Sequence, residues 1–173
     1  MTDGPAGLRP WSPGDGVWYA AQLRDPDIQR FTTERSTTTA DDFRAALERL
    51  SHQPDWAGFA VVDASSGRLA GNMAATRHAE GMAEISYWIA PAFRGRGLAS
   101  HAIGQMRDWM IATWHVQQID LWTHADNIAS QRAAEKAGFG YEPGRDEVKV
   151  IDGERWPVRW YRYAAGEVAL PAK

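Results

Sequence analysis

Seven consecutive residues, Arg94-Gly95-Arg96-Gly97-Leu98-Ala99-Ser100, carry the clearest chemical signal in the chain. Two glycines let the backbone turn tightly and approach a ligand closely. A long helical pattern starts at Leu98, so its first N–H groups have no partner within the helix. Those donors and the positive end of the helix dipole make an anion site. Arg94 and Arg96 add guanidinium groups suited to phosphate oxygens. The segment reads as a cradle for a phosphate ester, a pyrophosphate above all. The competing reading is a glycine-rich connector with two solvated arginines. It is not a P-loop, since no Gly-Lys-Ser/Thr occurs, and Ser100 stands where a dinucleotide fingerprint would place its third glycine.

A second set of residues can move protons. In the strand-like run Ala83 to Ile89, alternation puts Glu84, Ser86 and Trp88 on one face, opposite Ala83, Ile85, Tyr87 and Ile89. Glu84 is the first candidate for a general base. Its ordinary pKa of about 4.3 is low for that task, and partial burial or a relaying water would correct this. A salt-bridged surface glutamate is the alternative. Rival bases are Glu142, Asp146 and Glu147 on the last hairpin, and His124, which titrates near neutrality. Asn127 and Ser130 lie three apart at a helix start and share a face, which also fits a cap and a first turn. No metal-ligand spacing such as HExxH occurs, so no metal is implied. The absence of cysteine excludes disulfides, thiolate metal sites and a cysteine nucleophile.

The elements that must position these residues follow from periodicity. Leu8 to Trp11 reads as a first strand, Asp15 to Leu23 as a helix, and a short helical turn reaches Phe31. Thr39 and Asp42 resemble a capping box ahead of a helix whose Phe43, Leu47 and Leu50 form one stripe. Trp56 to Asp63, Leu69 to Thr76 and Ala83 to Ile89 form an antiparallel meander. Leu98 to Trp114 is a helix with Ala99, Ile103, Met106, Met110 and Trp114 on one face. Gln118 to Thr123 is a buried strand. Asn127 to Ala137 is a helix stopped by Gly138, and Phe139 to Tyr163 is a hairpin turning at Asp152-Gly153. The expected fold class is α/β (α+β): a single mixed, mostly antiparallel sheet with helices on both faces.

The 173 residues suit one domain, with a core from about residue 7 to 163 and frayed ends. A net charge of -3 does not suggest nucleic-acid binding. No apolar run approaches the roughly 20 residues of a membrane span. With no secretory leader pattern at the N-terminus, a cytoplasmic location is expected. Monomer and homodimer both remain open.

Arg94-Gly95-Arg96-Gly97-Leu98-Ala99 matches the Gln/Arg-x-x-Gly-x-Gly/Ala signature of the GCN5-related N-acetyltransferase superfamily. Glu84 to Phe93 resembles the strand which that family places before the loop. Asn127-Ile128-Ala129-Ser130 and Glu135-Lys136-Ala137-Gly138-Phe139 resemble its second block, and Leu8-Arg9-Pro10 its first strand. The chain is most similar to the RimJ/RimL-type N-terminal acetyltransferases. Ser86 departs from the family's usual glycine, and Arg145 to Trp160 is idiosyncratic.

The resemblance implies the acyl-CoA N-acyltransferase fold. It also implies acetyl-CoA as cosubstrate, no metal, and direct attack by a primary amine in a ternary complex. Cofactor contacts fall on Trp88, Ile89, Ala90, Arg94, Gly95, Arg96, Gly97, Leu98, Ala99, Ser100 and Asn127. The amides of Trp88, Ile89 and Ala90, at a strand bulge, would polarise the thioester, and Ser130 would face the coenzyme A sulfur as acid. A peptide α-amine, with a pKa of about 7.7–8.0, is easier to deprotonate than a lysine at about 10.4 and is the expected acceptor. A small-molecule amine and a non-catalytic coenzyme A sensor are the alternatives, and another acyl donor such as succinyl-coenzyme A stays open. Trp18, Tyr19, Phe31, Trp156, Trp160 and Tyr161 would flank the acceptor. Asp25, Asp27, Glu142 and Glu147 would attract a cation.

Overall fold

Thr39 accepts a hydrogen bond from the Asp42 amide at 3.2 Å, and Asp42 accepts one from the Thr39 amide at 2.9 Å. This expected capping box starts the helix whose Phe43 is buried against Trp11 and Tyr19. The computed structural model describes residues 4–79 and 81–166. Within it the chain runs β1 (Ala6–Pro10), α1 (Gly16–Gln22), α2 (Pro26–Phe31), α3 (Ala40–Ser51), β2 (Trp56–Asp63), β3 (Leu69–Ala79), β4 (Met82–Ile89) and α4 (Leu98–Trp114). It continues with β5 (Gln118–His124), α5 (Ile128–Lys136), β6 (Gly140–Tyr141), β7 (Glu147–Ile151) and β8 (Glu154–Ala164). The expected order holds, with one addition. The two-residue β6 is too short for alternation to reveal it.

The strands form one sheet in the order β1-β2-β3-β4-β5-β8-β6, with β7 also paired to β8. All pairings are antiparallel except β4 with β5. The β7–β8 turn falls at Asp152 and Gly153, both with positive φ (50° and 85°), as a tight two-residue hairpin requires. Helices cover both faces. Trp88 of β4 stacks on Trp18 of α1, whereas its neighbour Tyr87 reaches Ser130 of α5, and adjacent strand residues point to opposite faces. The buried faces of α4 (Leu98, Ala102, Ile103, Met106, Met110) and of β4 and β5 (Ala83, Ile85, Ile119, Leu121) belong to one core. The expected α4 stripe is therefore shifted slightly, with Ala99 and Trp114 only partly buried.

The β5–β8 junction carries a buried charge. Asp120 accepts from Arg162 at 2.8 and 3.0 Å and pairs with Arg145 at 2.8 Å. Burial raises its pKa, but the two guanidiniums outweigh this and hold the carboxyl below the usual range. A carboxylate so lowered stabilises the fold fully above about pH 4, its unfolded value, and loses that contribution as pH falls through the folded value. Asp120→Asn strands two arginines and is expected to destabilise the protein by about 3 kcal/mol near neutral pH. Urea melts across pH check this. The difference from the parent should shrink on acidification, and an unchanged midpoint would refute the role.

Candidate active site

The parallel pairing of β4 with β5 lasts for three rungs, Met82 with Gln118, Ala83 with Ile119 and Glu84 with Asp120, and then stops. Both strands continue, to Ile89 and His124. Past Glu84 they diverge, and a wedge opens between them. The expected bulge is not its cause. The register of β4 against β3 is unbroken from Ala83 to Ile89. Close apposition there depends on Gly71 of β3, where any side chain would collide with the Trp88 carbonyl.

That carbonyl and the Ala90 amide both point toward β3, the latter donating to Ala70 O at 2.8 Å. By alternation the Ile89 peptide groups point the other way, into the wedge. Arg94 Nε confirms the direction by donating to Ile89 O at 3.0 Å. Of the three amides expected to polarise a carbonyl, Trp88 and Ala90 serve the sheet and Ile89 alone faces the wedge.

Behind β4, a short turn at Pro91–Phe93 leads into the glycine loop. Gly95 and Gly97 have φ of 73° and 78°, a conformation that glycine adopts without strain. Gly97 caps α4 without a side-chain hydrogen bond, and His101 N, donating to Gly97 O at 3.3 Å, makes the first helical bond. The Leu98, Ala99 and Ser100 amides thus have no partner in the helix, and all three residues line a cleft with Gly95 and Gly97. Ser100 Oγ donates to Gly97 O at 3.1 Å, which stiffens the turn.

The two arginines are placed differently from expectation. Arg94 pairs with Asp25 at 2.5 Å and Asp27 at 2.9 Å, at the start of α2. Arg96 pairs at 2.9 Å with Asp63, which is buried and also accepts from Ser65 and Ser66. Both guanidiniums are engaged by carboxylates of other segments, and Arg96 does not line the cleft. Asp25 and Asp27, two of the residues expected to attract a cation, share the one guanidinium of Arg94, and Asp27 lines the cleft. Arg94 lines the cleft although it is paired; Arg132 and Lys136, exposed and one turn apart on α5, line it too, and neither makes an ion pair among the described residues. Their i, i+4 spacing was readable, but nothing in it pointed at the loop.

The cleft, of about 440 Å³, is bounded by both faces of the sheet. Tyr87, Ile85, Leu121 and Thr123 come from the α4/α5 face, and Ser86, Trp88 and Trp122 from the α1 face. It therefore passes through the wedge. One end meets the glycine loop and α5; the other is walled by Phe31, the last residue of α2, and by Thr32, Thr33 and Glu34 after it.

The candidate bases separate clearly. Glu84 sits on the last paired rung, accepts from Trp122 Nε1 at 3.0 Å and lies 3.8 Å from His78 Nε2, behind the cleft wall. Glu147 pairs with Lys149 and Trp160, and Asp146 holds the Tyr141 hydroxyl. His124 Nδ1 accepts from the Asp126 amide, and its ring packs between Phe31 and Trp156. None of these, nor Glu142, lines the cleft. Sequence reading passed over the carboxylate that does so without an ion pair, Glu34. It accepts from Tyr19 Oη at 2.5 Å and from Trp88 Nε1 at 3.4 Å, both neutral donors. Burial, then the Glu34 charge, pushes the Tyr19 phenol pKa up. Of the aromatic residues expected at the acceptor, Phe31 lines the cleft. Trp18 and Tyr19 pack behind Trp88, Trp156 and Trp160 form a separate cluster, and Tyr161 is in the core.

On the α5 side, Asn127 accepts from the Ser130 amide at 3.1 Å and so caps the helix, while Ser130 Oγ lies 2.8 Å from Tyr87 Oη. Asn127, Ser130 and Tyr87 all line the cleft. Among the described residues no group of three His, Asp or Glu is arranged to hold a metal ion, and no helix is long and apolar enough to cross a membrane.

This arrangement can be set beside known proteins. A profile described as an acetyltransferase (GNAT) domain matches residues 6–140. No curated protein sequence matches the chain. Among solved structures, the chain is similar to a spermidine N-acetyltransferase from Vibrio cholerae in complex with CoA and spermine. The TM-score is 0.79 at 22% identity, over 92% of this chain and 95% of that one. It is also similar to a ribosomal-protein-S5-alanine acetyltransferase from Vibrio fischeri (TM-score 0.81, 17% identity, 96% and 97% covered) and to Mycobacterium smegmatis RimJ in complex with CoA-disulfide (0.81, 18%, 98% and 86%). At these identities the likeness is one of fold. The wedge, the glycine loop at the head of α4 and the family profile agree: the chain belongs to the GNAT acetyltransferase family and is an acyltransferase.

Proposed function

We propose that the protein transfers the acetyl group of acetyl-CoA to a primary amine, and that the acceptor is the α-amine of a peptide or protein. The observation that carries this reading is the cleft through the sheet, with an anion cradle at one end and an unpaired carboxylate at the other. The residues fit the cosubstrate. Unpartnered amides of Leu98, Ala99 and Ser100 suit its diphosphate, aided by Arg132 and Lys136, and the positive-φ glycines leave room for it. Acetyl-CoA supplies an activated thioester. The Ile89 amide, aimed into the wedge, stabilises negative charge developing on the thioester oxygen. Ser130 faces the sulfur and supports the departing thiolate.

At the opposite mouth, Glu34 receives the ammonium and removes its proton, with Trp88 and Tyr19 holding its carboxylate in place. Glu84, one layer back behind Trp122, is the alternative base and would act through a water. A single unpaired carboxylate matches an acceptor with one ammonium near the reacting centre. An α-amine also enters neutral more readily than a lysine or polyamine nitrogen. A compact polyamine is the second reading, favoured by the likeness to the spermidine enzyme.

Three measurements test this reading. Gly97→Trp fills the loop and is expected to weaken coenzyme A binding by more than about tenfold, or 1.4 kcal/mol, in calorimetry; unchanged affinity would remove the cradle. A panel of peptides starting with Ser, Ala or Met, together with spermidine and aminoglycosides, is read by thiol release. Peptides should turn over fastest, and a spermidine preference would reverse the acceptor assignment. With the best acceptor, Glu34→Gln should lower kcat/KM by about 10²-fold or more and leave coenzyme A affinity intact. Loss in Glu84→Gln with normal rates in Glu34→Gln would move the base to Glu84.

A further inference from the structure

The Tyr87 hydroxyl has no described hydrogen-bond partner other than Ser130 Oγ, at 2.8 Å. The two groups come from different layers, β4 and the first turn of α5, and meet inside the cleft wall. A hydroxyl pair of this kind has two possible senses. If Ser130 donates to Tyr87, the serine proton is turned away from the cleft. If Tyr87 donates to Ser130, the serine oxygen is satisfied and its proton is available to another acceptor.

The surroundings choose between the two. Burial pushes the Tyr87 phenol up to about 12, although the Ser130 hydrogen bond acts in the opposite sense, so the phenol keeps its proton throughout the neutral range. Tyr87 is partly buried in the cleft wall, an O–H withdrawn from water there is costly without an acceptor, and Ser130 Oγ is the acceptor it meets among the described residues. Ser130 is anchored in turn, since its amide is held by the Asn127 cap at 3.1 Å. Its hydroxyl is left with rotation about one bond, and the Tyr87 donor sets that rotation.

We infer that Tyr87 is a positioning residue: its hydroxyl donates to Ser130 Oγ and thereby aims the serine proton at the sulfur of the bound thiol. The inference rests on the reading of Ser130 as the group facing that sulfur. No proton leaves Tyr87. The phenol stays neutral, Ser130 donates one hydrogen bond, and the thiolate that departs from the broken carbon–sulfur bond accepts it. Neither serine nor tyrosine alone does this. An unaided serine hydroxyl has no preferred rotamer toward the sulfur, and Tyr87 is held against Ser130.

The test needs no acceptor amine. The chain contains no cysteine, so in a mixture of protein and coenzyme A the only thiol is that of coenzyme A. With protein in excess, the rate of alkylation of bound coenzyme A by iodoacetamide, followed against pH, reports the thiol pKa in the site. In the parent it should lie below the ordinary value of about 8.5. Ser130→Ala and Tyr87→Phe should each raise it by the same amount, about one pH unit, or tenfold in thiolate fraction at fixed pH. The double variant should show no further rise. Tyr87→Phe keeps the ring, and calorimetry with coenzyme A verifies that each variant still binds.

The outcomes are distinct. A shift in Ser130→Ala with none in Tyr87→Phe, or shifts that add in the double variant, would overturn the role of Tyr87 and leave Ser130 in place. No shift in Ser130→Ala would overturn the assignment of Ser130 to the sulfur, and the inference with it.

Discussion

The molecule depends on two strands that pair and then part. For three rungs β4 and β5 are an ordinary parallel ladder, and beyond Glu84 and Asp120 they share no further hydrogen bonds. Backbone groups facing such a gap have no strand partner, and that is costly unless something else fills the role. Here Arg94 takes one of them, the Ile89 carbonyl, and the Ile89 amide beside it faces the wedge. The gap is kept open by what lies on either side. β3 holds β4 in an unbroken register, and β8 holds β5 along its whole length. Both strands are braced on their outer edges, so the inner edges can stay apart.

Arg94 gains a different meaning from this. A guanidinium at the first position of a glycine loop reads naturally as a phosphate ligand. In the fold it joins three segments: the end of β4, the start of α2 and the loop itself. Asp25 is also the cap of α2, accepting from the Ile28 amide at 3.0 Å. The end of α2 and the turn after it bring Phe31 and Glu34 to the cleft, so Arg94 ties that cleft wall to the Ile89 end of β4.

Much of this was legible in the residues, and the limits have physical causes. The loop and α4 could be read because glycine pairs and a 3.6-residue apolar period are local signals. Alternation placed Glu84 and Trp88 on the face opposite Tyr87, as found. The partners of charged groups were not legible. Asp25 and Asp27 lie 69 and 67 residues before Arg94, and Asp63 lies 33 before Arg96. Only the folded sheet brings them together. Glu34 escaped for the same reason: it sits in an aperiodic loop, and its two partners are 15 and 54 residues away. Glu84 was placed on the correct strand and face, but the Trp122 ring that screens it comes from β5, and no pattern within β4 foretells that.

The pairing of Arg94 and Arg96 with acids has a bearing on ionic strength. The inner half of the anion cradle consists of backbone amides and a helix end, partly enclosed by protein, where dissolved ions screen poorly. The outer half is Arg132 and Lys136, exposed on α5 and open to screening within about 8–10 Å of solution. Salt therefore acts on one part of the grip and spares the other. A diphosphate bound as proposed would be held by geometry close to the sheet and by long-range attraction only at the rim.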